Sequence, residues 1–262
     1  MIPGASAPRL LTTNAGIQIF VVPVPLRRGD DNTPWCYAAS ISPCLGDADA
    51  DHEVISPSLP DGSNFLASQV WPSARAASAV VEKHLCRSWT VCELGCGPGL
   101  PSLTAARCGA KQVVATDVDT FALELVEASA REQGFLDEGG GSGARFRTFQ
   151  FDMLSKTQLP SADLYLISDV FESSSVAEGA AFHIQNALSV NNSKLNGIKS
   201  RFWVFAQQDR AQRETFLRLM QDYYDSVAET ERKNLEWSSN HSPDKDEELW
   251  LFDLDEIHVR YN

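Results

Sequence analysis

The chain predicts an α/β fold: a doubly wound, mostly parallel seven-stranded sheet with an antiparallel C-terminal edge hairpin and an N-terminal strand extension. Three observations carry that expectation. From residue 88 onward, short apolar runs rich in Val, Ile, Leu and Phe alternate with segments of helical period. The connections between them are short, as they are where helices cover both faces of a parallel sheet. The first apolar run also ends in a glycine turn, Gly95-Cys-Gly-Pro-Gly99, that opens directly into a helix.

Size and composition agree. The 262 residues suffice for one substantial core, and 43% hydrophobic with 22% charged residues excludes a disordered chain. With 22 Lys+Arg against 35 Asp+Glu, the net charge of −13 weighs against nucleic-acid backbones and anionic membranes as partners. No apolar run approaches the roughly 20 residues that cross a bilayer. Met1 to Gly16 holds a lone Arg9 and no apolar stretch of leader length. The expectation is a soluble, acidic monomer of the cytoplasm, with the nucleus as a second compartment. The six cysteines form no CxxC pair and have no companion CxxH or HxxxH spacing, which predicts reduced, buried thiols. The five histidines, His52, His84, His183, His241 and His258, are scattered without triad or metal spacing, so no metal is expected.

Taken in order, residues 1–63 read as an N-terminal extension and 64–262 as the main domain. Within the extension, Gly16 to Pro25 is strand-like, its prolines suiting a sheet edge. Trp35-Cys-Tyr37 and Val54-Ile55 are candidate short strands. A helix capped by Asn64 or Ser68 and running to about Leu85 follows from the spacing of Val70, Trp71, Ala74, Ala77, Val80, Val81 and Leu85, with Pro72 in its first turn. Ser88 to Leu94 is a strand, Leu100 to Cys108 a helix stopped by Gly109, and Gln112 to Thr116 a buried strand. Asp119 caps a helix over Thr120 to Gln133 that ends at Gly134. Beyond the glycine-rich loop 138–143 come strands at 145–151, 163–167 and 202–206, with helices at 176–188 and 209–224 between and after them. Glu248 to Phe252 and Ile257 to Val259 form the expected edge hairpin. Seven acids against Lys245 between Asp244 and Glu256 are either a solvated face or a negative rim for a basic partner.

Ligands of doubly wound sheets bind beyond the carboxyl ends of the strands. A dinucleotide fingerprint, GxGxxG, would need glycine where this chain has Leu100. Glu93-Leu-Gly-Cys-Gly-Pro-Gly99, with Asp117 closing the next strand, instead resembles the cofactor loop of seven-strand S-adenosylmethionine-dependent methyltransferases. Gln69-Val-Trp-Pro-Ser-Ala74, Val91 to Gly95, Gly99 to Gly109, Ile167-Ser-Asp-Val-Phe171 and Ala206-Gln-Gln-Asp-Arg210 further resemble the methyltransferase-like family 16 group of protein lysine and arginine methyltransferases. The likeness runs from about residue 64 to the C-terminus.

That resemblance implies S-adenosyl-L-methionine as cofactor and a basic protein as substrate. Gly95, Cys96, Gly97 and Gly99 would line the methionine end, with Glu93 reaching its ammonium. Asp117, beside Val118, would accept from the ribose hydroxyls. Trp71 would lie against the cofactor, although an aromatic core anchor is an equal reading of that residue alone. Asp152 and Met153 would meet the adenine. Ser168 and Asp169 would face the methyl donor, with Asp169 and Glu172 as the catalytic acids. Lysine-directed members carry Asp-x-x-Tyr at the fourth strand, whereas this chain reads Asp169-Val-Phe-Glu172. Either Phe171 supplies an aromatic wall from one residue earlier, or Glu172 alters the acceptor. A small-molecule methyltransferase and a non-catalytic cofactor-binding scaffold are the alternatives.

Overall fold

The computed structural model describes residues 9–27, 30, 32–39, 64–136, 145–192, 200–207 and 210–226, with the backbone alone at 237–239 and 257–259. Val54-Ile55, the glycine-rich loop 138–143, residues 248–252 and the acidic run 244–256 lie outside these residues.

The first strands, β1 (Arg9–Thr12), β2 (Gln18–Pro25) and β3 (Trp35–Ala39), form an antiparallel sheet of order β1-β2-β3. β2 is therefore the middle strand, not the edge its prolines suggested. The sheet accommodates them because β1 pairs only with residues 18–21 of β2, while Pro23 and Pro25 face Tyr37 and Trp35 of β3. Where the prolines sit, the β1 side of the strand has no ladder left to complete.

The expected helix over 64–85 is split. A short 3-10 turn (Phe65–Ser68) is capped by the Asn64 side chain, which accepts from the Leu66 N–H. The chain is then extended through Trp71, and α1 (Pro72–His84) begins with proline at its first position. Proline there gives up an N–H that would have no helical partner, and it favours an extended residue before it.

The central sheet follows: β4 (Thr90–Leu94), α2 (Leu100–Cys108), β5 (Gln112–Asp117), α3 (Thr120–Glu132), β6 (Phe146–Gln150), β7 (Leu164–Ser168), α4 (Ser174–Asn192), β8 (Arg201–Phe205) and α5 (Arg213–Ser226). Its five strands have the order β6-β5-β4-β7-β8 and every pairing is parallel. Helices cover both faces. Cys92, Leu94, Tyr165, Ile167 and Phe202 pack with Ile184 of α4 and Phe216 of α5, while Val91, Val113, Leu166 and Trp203 pack with Val81 of α1 and Leu103 of α2. This is the doubly wound Rossmann-like arrangement. At the C-terminus, β9 (Trp237–Ser239) and β10 (Ile257–Val259) form a separate two-stranded parallel pair. Ile257 to Val259 pairs in parallel with β9, which comes long enough before it in the chain to permit a crossover; the other half of the expected hairpin, 248–252, lies outside the described residues.

α3 lies between the two sheets. Leu123, Val126 and Ala130 face the central sheet, while Phe121, Leu125 and Ala128 pack against Ile19, Val21, Trp35 and Tyr37. The N-terminal sheet is fastened by polar contacts as well. The Tyr37 N–H donates to Ser129 Oγ at 2.8 Å, and Gln133 Nε2 donates to the Trp35 carbonyl at 2.9 Å. Ser129 Oγ in turn donates to the Leu125 carbonyl. Replacing Ser129 with Ala orphans a buried N–H on β3, which costs about 1–3 kcal/mol. Urea titration of Ser129→Ala is expected to show that loss with an unchanged slope.

Candidate cofactor-binding site

A cavity of about 370 Å³ opens at the carboxyl ends of β4, β5 and β7, where the strand order reverses. The turn between β4 and α2 forms its floor. Gly95, Gly97 and Gly99 all hold positive φ, at 64°, 49° and 73°. A Cβ on Gly95 would stand 2.4 Å from Val170 Cγ1, and one on Gly99 2.7 Å from Val126 Cγ2. Both positions therefore require glycine for backbone conformation and for space.

Hydrogen bonds tie the turn to the neighbouring strand. The Cys96 N–H donates to the Thr116 carbonyl at 2.9 Å, and the Gly97 N–H donates to Asp117 Oδ2 at 2.8 Å. Asp117 Oδ1 accepts from the Asp119 N–H at 2.9 Å. Asp117 is 6% exposed and lines the cavity, and burial pushes its carboxyl up to about 6 against the opposing effect of these N–H donors. Asp119 caps α3 as expected, accepting from the Phe121 and Ala122 N–H groups.

Glu93 lies behind the turn. It is fully buried on the face of β4 that meets α2, where Oε2 accepts from both the N–H and the hydroxyl of Ser102. The residue is not part of the cavity wall. Burial raises its carboxyl to about 8, although the Ser102 donors pull the other way. Glu93 therefore braces the turn against the start of α2.

A strap made of residues 64–71 crosses one side. The Asn64 N–H donates to Asp119 Oδ2 at 2.5 Å, and Trp71 Nε1 donates to the Leu66 carbonyl at 3.0 Å. The Ala67 carbonyl would lie 3.2 Å from a Cβ on Gly97. Leu66, Ala67, Gln69 and Trp71 all line the cavity. The sequence motif singled out Trp71 alone among these, because the other contacts depend on where the chain folds back.

The segments after β7 and β8 contribute Ser168, Asp169, Val170, Glu172 and Arg210. Asp169 has φ 57°, the left-handed region, and its N–H donates to the Phe205 carbonyl at 2.8 Å. Its side chain is 1% exposed, and both oxygens accept from Arg210, from Nε at 2.7 Å and Nη2 at 3.0 Å. The Arg210 guanidinium also lies 5.1 Å from the centre of the Trp71 ring. Phe171 is not an aromatic wall: it is buried in the core, 5.1 Å from the Phe216 ring, because the turn at Asp169 directs it inward. Glu172 is exposed at the cavity mouth. Arg210 belonged to a quoted motif but received no role, since its pairing is with a residue 41 positions away.

Phe151, Asp152, Met153 and the exposed Val118 complete the wall. Asp152 Oδ1 accepts from the Leu154 N–H, which shapes the turn after β6. The Met153 carbonyl is 3.1 Å from Nε2 of His183, a buried residue of α4. Among the cysteines, Cys36, Cys92 and Cys96 are buried, with thiols pushed up by burial, but Cys86 is exposed, contrary to expectation. No helix among the described residues is long and apolar enough to cross a membrane.

Residues 75–139, which contain the glycine turn and Asp117, match the family model described as ribosomal protein L11 methyltransferase. The match is to methyltransferases. Over 61 residues the chain is 39% identical to the ribosomal protein L11 methyltransferase of Thermotoga petrophila, a stretch that is 23% of each chain. Over 63 residues it is 35% identical to that of Dechloromonas aromatica, covering 24% of this chain and 21% of the other. The chain thus spans under a quarter of the length of these relatives. Among solved structures, ribosomal protein L11 methylase from Lactobacillus delbrueckii subsp. bulgaricus is similar with a TM-score of 0.42 and 15% identity, over 77% of this chain and 88% of that one. A TehB-like SAM-dependent methyltransferase from Corynebacterium glutamicum gives 0.44 and 16%, over 69% and 85%. The family matched over residues 75–139 is not the one that the Trp71 motif resembles. Asp152, Ser168, Asp169 and Arg210 lie beyond the matched stretch.

The two buried acids set a pH dependence. A carboxyl whose pKa is raised on folding binds its proton more tightly in the native state, so stability falls as pH rises from its unfolded value through its folded one. For Glu93 that window runs from 4.5 to about 8, and for Asp117 from 3.8 to about 6. Urea unfolding between pH 5 and pH 8 is expected to show declining stability across this range, with a shallower decline in Glu93→Gln. A wild-type profile that rises toward pH 8 contradicts the assignment.

Proposed function

We propose that the protein is an S-adenosylmethionine-dependent methyltransferase that modifies a lysine or arginine side chain of a basic protein. The observation that carries the reading is the union of the glycine turn with Asp117: one carboxylate orders the backbone at Gly97 and faces the same cavity. The residues fit that cofactor. Three positive-φ glycines leave a cradle that a Cβ would obstruct, and Asp117 retains lone pairs for two ribose hydroxyls. Gly95, Cys96, Gly97 and Gly99 would hold the methionine end, while Asp152, Met153 and Val118 would meet the base. The match to ribosomal protein L11 methyltransferases over residues 75–139 supports a protein acceptor.

When bound, the cofactor supplies a methyl group on a sulfonium, ready for in-line displacement. The chain's own contribution is positioning, which lowers such barriers by roughly 7–11 kcal/mol. Ser168 and Asp169 border the acceptor end, and Glu172 presents a carboxylate at its mouth to orient a cationic side chain. A guanidinium already engages both oxygens of Asp169, so Asp169 shapes the site more than it accepts a proton. That same engagement favours a second reading, a cofactor-binding scaffold without transfer.

Two measurements test the proposal. S-adenosylhomocysteine is expected to bind, with affinity falling as pH drops below about 6, where Asp117 becomes protonated and accepts fewer hydrogen bonds. Asp117→Asn should weaken binding at least about tenfold, the scale of a lost hydrogen bond to a charged group, and should flatten the pH profile. Labelled methyl transfer into lysate proteins should appear on lysine or arginine. Tight cofactor binding with no labelled protein would support the scaffold, and label only on metabolites would overturn the protein acceptor.

A further inference from the structure

Three segments distant in sequence meet at one guanidinium. Arg210 follows β8, Asp169 follows β7, and Trp71 precedes α1. All three line the cavity. Asp169 occupies a left-handed backbone conformation, which costs a non-glycine residue free energy unless its surroundings hold it there. Here the holding groups are visible: the Phe205 carbonyl takes the Asp169 N–H, and the Arg210 fork takes both carboxylate oxygens. A bidentate pair fixes orientation as well as distance. Because the Asp169 side chain is 1% exposed, removing the guanidinium would leave a buried charge uncompensated. The guanidinium, held at one edge by Asp169, also lies over the Trp71 ring, whose Nε1–H is anchored on the Leu66 carbonyl of the strap.

We propose that Arg210 is a positioning residue for the cofactor cavity: its fork holds Asp169 in the turn after β7 and its stack pins Trp71, so that the strap 64–71 and the acceptor end close on the cofactor as one unit. The inference rests on the cofactor reading above. Two consequences distinguish it from a general contribution to folding. Lysine at position 210 keeps the charge but not the planar fork or the stack, so charge alone should not restore the function. Arg210 and Asp169 should also act through each other, so their losses should not add.

The test is calorimetric titration of S-adenosylhomocysteine into the full chain and into Arg210→Lys, Arg210→Gln, Asp169→Asn and the Arg210→Gln/Asp169→Asn double variant, each checked by its melting curve. Each single variant is expected to bind about tenfold more weakly, and the double variant no more weakly than the worse single. Arg210→Gln should also alter tryptophan emission, and that change should vanish in a Trp71→Phe background. Arg210→Lys, the mildest change, carries the test if the others do not fold. Wild-type affinity in Arg210→Lys, or strictly additive losses in the double variant, overturns the positioning role while leaving the cofactor reading intact. A wild-type chain that does not bind S-adenosylhomocysteine overturns both.

Discussion

One carboxylate organises the site. Asp117 ends a buried strand, and its two oxygens reach in different directions: Oδ2 to the Gly97 N–H of the turn after β4, Oδ1 to the Asp119 N–H at the start of α3. The three glycines of the turn have no side chains with which to fix its shape, so much of that shape comes from outside them. It comes from Asp117, from the Thr116 carbonyl that receives the Cys96 N–H, and from Val126 packed beneath Gly99. An amide at 117 could still accept, but it would carry less charge toward the N–H donors and toward any hydroxyl in the cavity.

Burying acids is costly, and two buried acids flank the turn, with Glu93 behind it and Asp117 in front. Their carboxyls are raised to about 8 and about 6 because desolvation outweighs the donors each has gathered. Such a pair is retained at a stability cost, and the cost makes sense where a ligand brings donors or positive charge to compensate it. The two acids do not share that task equally. Asp117 lines the cavity, whereas Glu93 is turned onto Ser102 at the start of α2. The two positions thus place one carboxyl at the cavity and the other behind the turn.

What could be read from the chain divides along physical lines. Strand and helix alternation, the glycine turn, the Asp119 cap and the proline start of α1 are local, and the residues themselves specify them. The Glu93 orientation was also within reach, since strand alternation places it on the Val91 face, toward α2. Phe171 was not legible, because the left-handed φ at Asp169 interrupts the alternation and turns the ring into the core beside Phe216. The Arg210 fork and the strap contacts join segments tens of residues apart, and local pattern does not encode such pairings. The middle-strand prolines of β2 misled for a related reason: strand β1 is shorter than the strand it pairs with, and the free length of β2 is where the prolines lie.

The N-terminal sheet bears on the site through α3. That helix is packed on one side by β1–β3 and on the other by the central sheet, and it provides both the Val126 contact under Gly99 and the cap at Asp119. Asp119 in turn holds Asn64, the first residue of the strap. A chain of contacts therefore runs from Tyr37 and Ser129 through α3 to the glycine turn, and from Asp119 to the strap. The strap then returns through Trp71 to Arg210 and Asp169. The cavity is thereby bordered by elements that each lean on a neighbour in the core, the Arg210–Asp169 ion pair among them. Arg210 thus touches both the turn after β7 and the strap before α1, so a change in that one side chain reaches segments far apart in the chain.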